Sequence, residues 1–81
     1  MERTAVNSSN IHSVGHNPLP QTLEVAFRDK KDRDKINSIW QYTPVSEEKH
    51  KAMMESPSIG SFFFKEIKLN TDIQSKRVEE S

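Results

Sequence analysis

The residues of this chain best suited to chemistry are the pair Trp40 and Tyr42, one position apart, and four cations distributed along the sequence, Arg28, Lys49, Lys65 and Lys68. Flat aromatic faces stack on unpaired bases, and lysine and arginine neutralise phosphates, so this combination is what holds single-stranded RNA. The same aromatic pair has a competing use. A small chain has few large side chains from which to build a core, and Trp40 and Tyr42 packed against Phe62 and Phe63 would supply one. The residues alone leave both uses open. The charge-rich run from Arg28 to Lys35 holds five basic and three acidic residues and reads as a solvated, self-neutralising connection.

Other chemistries find less support. His12 and His16 are four apart, and on a strand that places them on one face about 13 Å from each other, too far to share an ion. Gly15 and the nearby prolines argue against the helix that would bring them together, and His50 has no suitable ligand three or four positions on. No metal site is expected. Ser58-Ile59-Gly60-Ser61 serves as a helix cap rather than a nucleophile elbow, because no strand leads directly into it. With two glycines in the chain there is no phosphate cradle and no cofactor motif. Glu47 and Glu48 are adjacent, so they diverge on a helix and suit its dipole better than paired acid–base work. The residues therefore imply no catalytic group, no cofactor and no enzyme.

A chain of 81 residues makes at most one domain with a thin core. Twelve basic residues balance twelve acidic ones, so no long-range field draws the whole molecule to nucleic acid or an anionic membrane, and any such contact must come from a local patch. Absence of cysteine fits a reducing compartment, and neither an apolar leader nor a run long enough to cross a bilayer is present. A cytoplasmic location without a membrane partner is the expectation.

These side chains need elements to position them. Thr22–Arg28 alternates cleanly, with Leu23, Val25 and Phe27 on one face, and is the most secure strand. Ile11–His16 is a weaker strand in which Ile11 and Val14 both point inward only if a bulge or irregularity near Gly15 shifts the register. Ile39–Thr43 forms a third strand ending at Pro44, with Trp40 and Tyr42 on the core side. Ser46, followed by two glutamates, starts a helix running to about Glu55. A second helix opens at Pro57-Ser58, and its Ile59, Phe62, Phe63 and Ile67 follow one stripe. Residues 1–9 and 69–81 read as flexible tails.

The order Ser8-Ser9-Asn10-Ile11, Val14-Gly15-His16, Leu23-Glu24-Val25-x-Phe27, Trp40-x-Tyr42, Val45, Ser58-x-Gly60-Ser61-Phe62-Phe63 and Ile67-Lys68 resembles the KTSC family. That small domain is named for the C-terminus of some lysyl-tRNA synthetases and also occurs as a free-standing bacterial protein. The similarity covers roughly residues 7 to 68, with departures at His16, Trp40 and Ser46 and in a longer loop from Asp29 to Ser38. The resemblance implies an uncharacterised bacterial or phage domain for which RNA binding is the suggested role, an inference by association with a tRNA-charging enzyme. The expected fold is α+β, a three-stranded antiparallel β-meander followed by two short helices on one face, with the KTSC-like domain spanning 10–68. The expected function is a small non-enzymatic binding module for RNA, with Arg28, Trp40, Tyr42, Lys49, Lys65 and Lys68 as its contacts. The alternative is a protein-interaction or homo-oligomeric module, carried by an exposed phenylalanine at Phe64, with a small ligand at its interface.

Overall fold

A computed structural model describes residues 2–78 of the chain. Its sheet has five antiparallel strands in sequential order: β1 (Thr4–Ala5), β2 (Ile11–Asn17), β3 (Thr22–Arg28), β4 (Ile36–Thr43) and β5 (Gln74–Val78). The expected three-stranded meander is its centre and undercounts it. Both additional strands lie in the segments read as tails. β1 contributes two register pairs, Thr4 with Val14 and Ala5 with Ser13. β5 runs along the far side of β4, from Ile39 opposite Val78 to Thr43 opposite Gln74. Its first four side chains are exposed, so backbone hydrogen bonds, indifferent to side-chain type, hold it in place.

β3 owes its central place to alternation. Leu23 and Val25 are fully buried on one face, and Phe27 packs at the edge of the same cluster. In β2 the irregularity sits at His12, nearer the strand's start than the expected site at Gly15. Ile11 pairs with Phe27 and Ser13 with Ala26, so His12 is the extra residue and both Ile11 and Val14 reach the core. β4 begins at Ile36, three residues before the alternation is legible, and Tyr42 is its buried aromatic.

Two helices cover that face. In α1 (Glu47–Glu55) the Lys49 N–H donates to Ser46 Oγ at 3.1 Å, and Met53 is the buried residue. α2 (Ile59–Phe63) starts on Ser58, whose Oγ accepts the Ser61 N–H at 3.4 Å. It continues as a π-helical turn (Phe64–Lys68), closed by the Leu69 N–H donating to the Phe64 carbonyl at 3.1 Å. Phe63 and Ile67 are buried from this helical run. The Phe63 ring meets Tyr42 edge-on at 5.1 Å between centroids and Phe27 at 5.6 Å. Val45, Met53 and Ile67 fill the remainder against Ile11, Val14, Leu23 and Val25.

The sheet's other face carries a polar row. Glu24, 6% exposed, receives Arg3 Nη1 at 2.7 Å on one carboxylate oxygen and Gln41 Nε2 at 3.0 Å on the other. Arg3 Nε also donates to Ser13 Oγ at 3.3 Å. A buried carboxylate is tolerated when both oxygens are engaged in this way. The N-terminal segment reaches it by passing close over Gly15, where a Cβ would strike the Glu2 carbonyl. Among the described residues no helix is long and apolar enough to cross a membrane.

Two variants test this packing. Phe63→Ala removes a buried aromatic that bridges sheet and helix, and is expected to lower the unfolding free energy in urea by about 3–5 kcal/mol. Gly15→Ala displaces the N-terminal segment and is expected to cost about 1–3 kcal/mol. In that variant hydrogen exchange should speed up at β1 amides and remain slow in β3.

Candidate functional site

On the helix-covered side, the end of the sheet nearest β3's C-terminus opens into a groove of about 1160 Å³. One wall is the segment Asn7–Asn10 with the loop after β3, another is α2 with the π-helical turn, which the first approaches where Ser8 lies close to Gly60, and Trp40 contributes from the sheet. Five of the six residues selected from sequence line this groove: Arg28, Trp40, Tyr42, Lys65 and Lys68. Lys49, on α1, is not among its lining residues.

The five do not play equal parts. Arg28 donates through Nε to the Ser8 carbonyl at 2.8 Å, through Nη1 to the Arg33 carbonyl at 2.8 Å and through Nη2 to the Val6 carbonyl at 3.1 Å. Its guanidinium thus clamps both segments of one wall. Tyr42 is 6% exposed, and burial pushes its phenol up to about 12, as expected of a core ring. Trp40 is half-buried, packed against the core cluster while still lining the groove. Lys65 and Lys68 are exposed on the π-helical turn, with Lys68 Nζ 5.7 Å from the centroid of the Phe64 ring.

Sequence reasoning passed over Lys30 and Arg33, which also line the groove. The loop that holds them contains nearly as many acids as bases, and its net charge concealed a division of labour. Asp29 Oδ1 accepts the backbone N–H of Lys31 at 2.8 Å and of Asp32 at 3.3 Å, and those donors hold its carboxyl below the usual carboxylate range. Asp32 in turn accepts the Asp34 N–H at 3.1 Å. Carboxylates here shape turns. The groove consequently has five basic lining residues, Arg28, Lys30, Arg33, Lys65 and Lys68, against one acidic residue, Asp29. Aspartate accepting a backbone N–H two residues on is a common turn former, a signal that the reading of this run as self-neutralising did not use; the position of Arg33 carried no such signal.

A second polar feature lies away from the groove. His16 and His50 stack with centroids 4.8 Å apart and planes 10° from parallel, and His16 Nε2 donates to the Val45 carbonyl at 2.6 Å. His50 Nε2 is buried without a hydrogen-bond partner among the described residues. Burial, aided by His16 and opposed by Glu47, lowers the His50 pKa from its ordinary value. In the native state His50 therefore releases its proton more readily than in the unfolded chain, whose histidine pKa is about 6.5. Stability from this residue is unaffected well above that pH and falls as pH drops through it. Thermal melts should show the midpoint decreasing on acidification from about pH 7.5 to 5.5, and His50→Phe should flatten that dependence.

Residues 7–70 match the KTSC domain family. An uncharacterised protein of Stutzerimonas stutzeri (strain A1501) is 33% identical over 63 residues, covering 78% of this chain and 79% of its own length. The crystal structure of a KTSC domain protein from Yersinia pestis shares the fold with a TM-score of 0.79 at 28% identity, over 96% of this chain and 97% of that one. With the match spanning the sheet's centre, both helices and both walls of the groove, the chain belongs to the KTSC domain family.

Proposed function

We propose that this domain is a non-enzymatic binding module whose groove takes RNA. The observation that carries this reading is local charge: the groove is lined by five basic residues and one acidic residue in a chain of zero net charge, beside a half-buried tryptophan. Phosphates would meet Lys65 and Lys68 on the helical wall and Arg33 on the loop wall, with Trp40 offering a ring face to a base. Arg28 contributes by holding the wall together, and Tyr42 by supporting the floor from within the core. The open form of the groove suits a chain passing through.

A second reading rests on a different observation. Phe64 is 48% exposed and Leu69 59% exposed, and both lie at the π-helical turn. Adjacent exposed apolar side chains suit contact with another protein or a second copy of this chain. Sedimentation velocity separates the readings, because Leu69→Ser, which lies outside the groove lining, would weaken a self-association built on that patch and leave RNA affinity in place.

The RNA reading is tested by anisotropy titration with a labelled single-stranded RNA. Three phosphate contacts give a slope near −2 in log affinity against log salt, so affinity should fall about twentyfold between roughly 50 and 200 mM salt. Lys65→Glu and Lys68→Glu should each weaken binding without moving the thermal midpoint. Absent or salt-insensitive binding at micromolar protein would overturn it.

A further inference from the structure

Trp40 has a neighbour with no role in the packing. In the ladder between β4 and β5 it stands opposite Arg77. Residues directly opposite in an antiparallel pair project to the same face with Cβ atoms about 4.5–5.5 Å apart. Arg77 is exposed, and its guanidinium makes no hydrogen bond or ion pair among the described residues. Ser75, two residues earlier and opposite Tyr42, projects to that same face and lines the groove. Lys76, between them and opposite Gln41, belongs to the sheet's other face. The edge strand thus presents one arginine beside the half-buried indole and turns its adjacent lysine away.

Resting on the reading of the groove as an RNA site, we propose that Trp40 and Arg77 form the seat for one unpaired nucleotide of a single strand, with the base on the indole and the phosphate on the guanidinium. The strand's charge suits the groove, whose one acidic lining residue, Asp29, has a carboxylate oxygen already bonded to two backbone N–H groups. Recess decides single strand over duplex. Trp40 is half-buried on the sheet where it lines the groove, and a paired base, stacked inside its own helix, offers no free face to it. Arg77 suits the phosphate because a planar guanidinium grips two phosphate oxygens at once, which an ammonium cannot do.

The two adjacent basic residues on β5 provide the test. Wild type, Arg77→Ala, Arg77→Lys and Lys76→Ala are titrated with a ten-nucleotide oligouridylate, with uridine monophosphate and with a blunt RNA hairpin, following Trp40 fluorescence and anisotropy. Trp40 is the chain's one tryptophan, so its emission reports the seat directly. The oligomer is expected to quench Trp40. Arg77→Ala should weaken it about tenfold and reduce the salt slope by about 0.7, Arg77→Lys should restore part of that loss, and Lys76→Ala should change affinity less than about twofold. Equal losses from Arg77→Ala and Lys76→Ala would mean nonspecific charge and overturn the seat, as would oligomer binding that leaves Trp40 emission unchanged. Hairpin binding as tight as the oligomer's overturns the single-strand assignment. Uridine monophosphate binding as tightly as the oligomer reassigns the site to a free nucleotide and overturns it equally. No binding of any of the three probes removes both this seat and the RNA reading beneath it, whereas oligomer binding that ignores Arg77→Ala removes the seat alone.

Discussion

Phe63 is the contact on which the remaining structure depends. The sheet buries its larger apolar cluster on one face, and the helical run reaches it through a single buried ring set edge-on to both Tyr42 and Phe27. Such aromatic pairs contribute roughly 0.5–1.5 kcal/mol each beyond the area they bury. Their larger effect is geometric. With Phe63 seated between two strands, Ile67 falls four residues on and is buried as well, while Phe64, Lys65 and Lys68 remain exposed. The same insertion that closes the core therefore sets the wall of the groove and the direction of its cations.

Arg28 makes the other wall by a different means. A partly buried guanidinium carries five N–H donors that need acceptors, and here three backbone carbonyls, from Val6, Ser8 and Arg33, accept from it. The segment before β2 has Val6 packed against the core cluster, while the loop after β3 has no apolar side chain of its own. Binding both to one charged side chain at the end of the central strand gives them a fixed place. A residue whose type suits phosphate is thereby occupied in building the site, and in the proposed function anion contact accordingly falls to other cations. On the sheet's other face, Glu24 does comparable work for the N-terminal segment through Arg3.

What could be read from the sequence follows from where side chains carry the information. β3 was legible because alternation of Leu23, Val25 and Phe27 is imposed by burial on one face, and both helix starts were legible because Ser46 and Ser58 do capping chemistry that few other residues do. β1 and β5 were not. One is two residues long, and the other is the nearly apolar-free Gln-Ser-Lys-Arg-Val, so their places come from backbone pairing to strands already present. The bulge was anticipated from the three-residue spacing of Ile11 and Val14, but its position at His12 depends on pairing with Ala26 and Phe27. The candidate site divided along the same line. Residue type located four cations and two aromatics, five of which share one groove, whereas the clamp role of Arg28, the exclusion of Lys49 and the arrival of Lys30 and Arg33 are products of chain path.

The aromatic pair on β4 shows how fold and function separate at the level of single residues. Trp40 and Tyr42 share a strand, a face and a spacing of two, and from sequence they invite a single shared role. Structure divides them because Phe63 covers Tyr42, while Trp40 retains an open side on the groove. A buried ring whose pKa is pushed to about 12 has packing as its sufficient explanation. Trp40 does not. A small core gains most from its largest ring, and leaving that ring half-buried between a basic groove and an edge strand forgoes burial that so short a chain could use. Departures from the packing rule concentrate at functional sites, and the division places the domain's structural aromatic at 42 and its candidate recognition aromatic at 40.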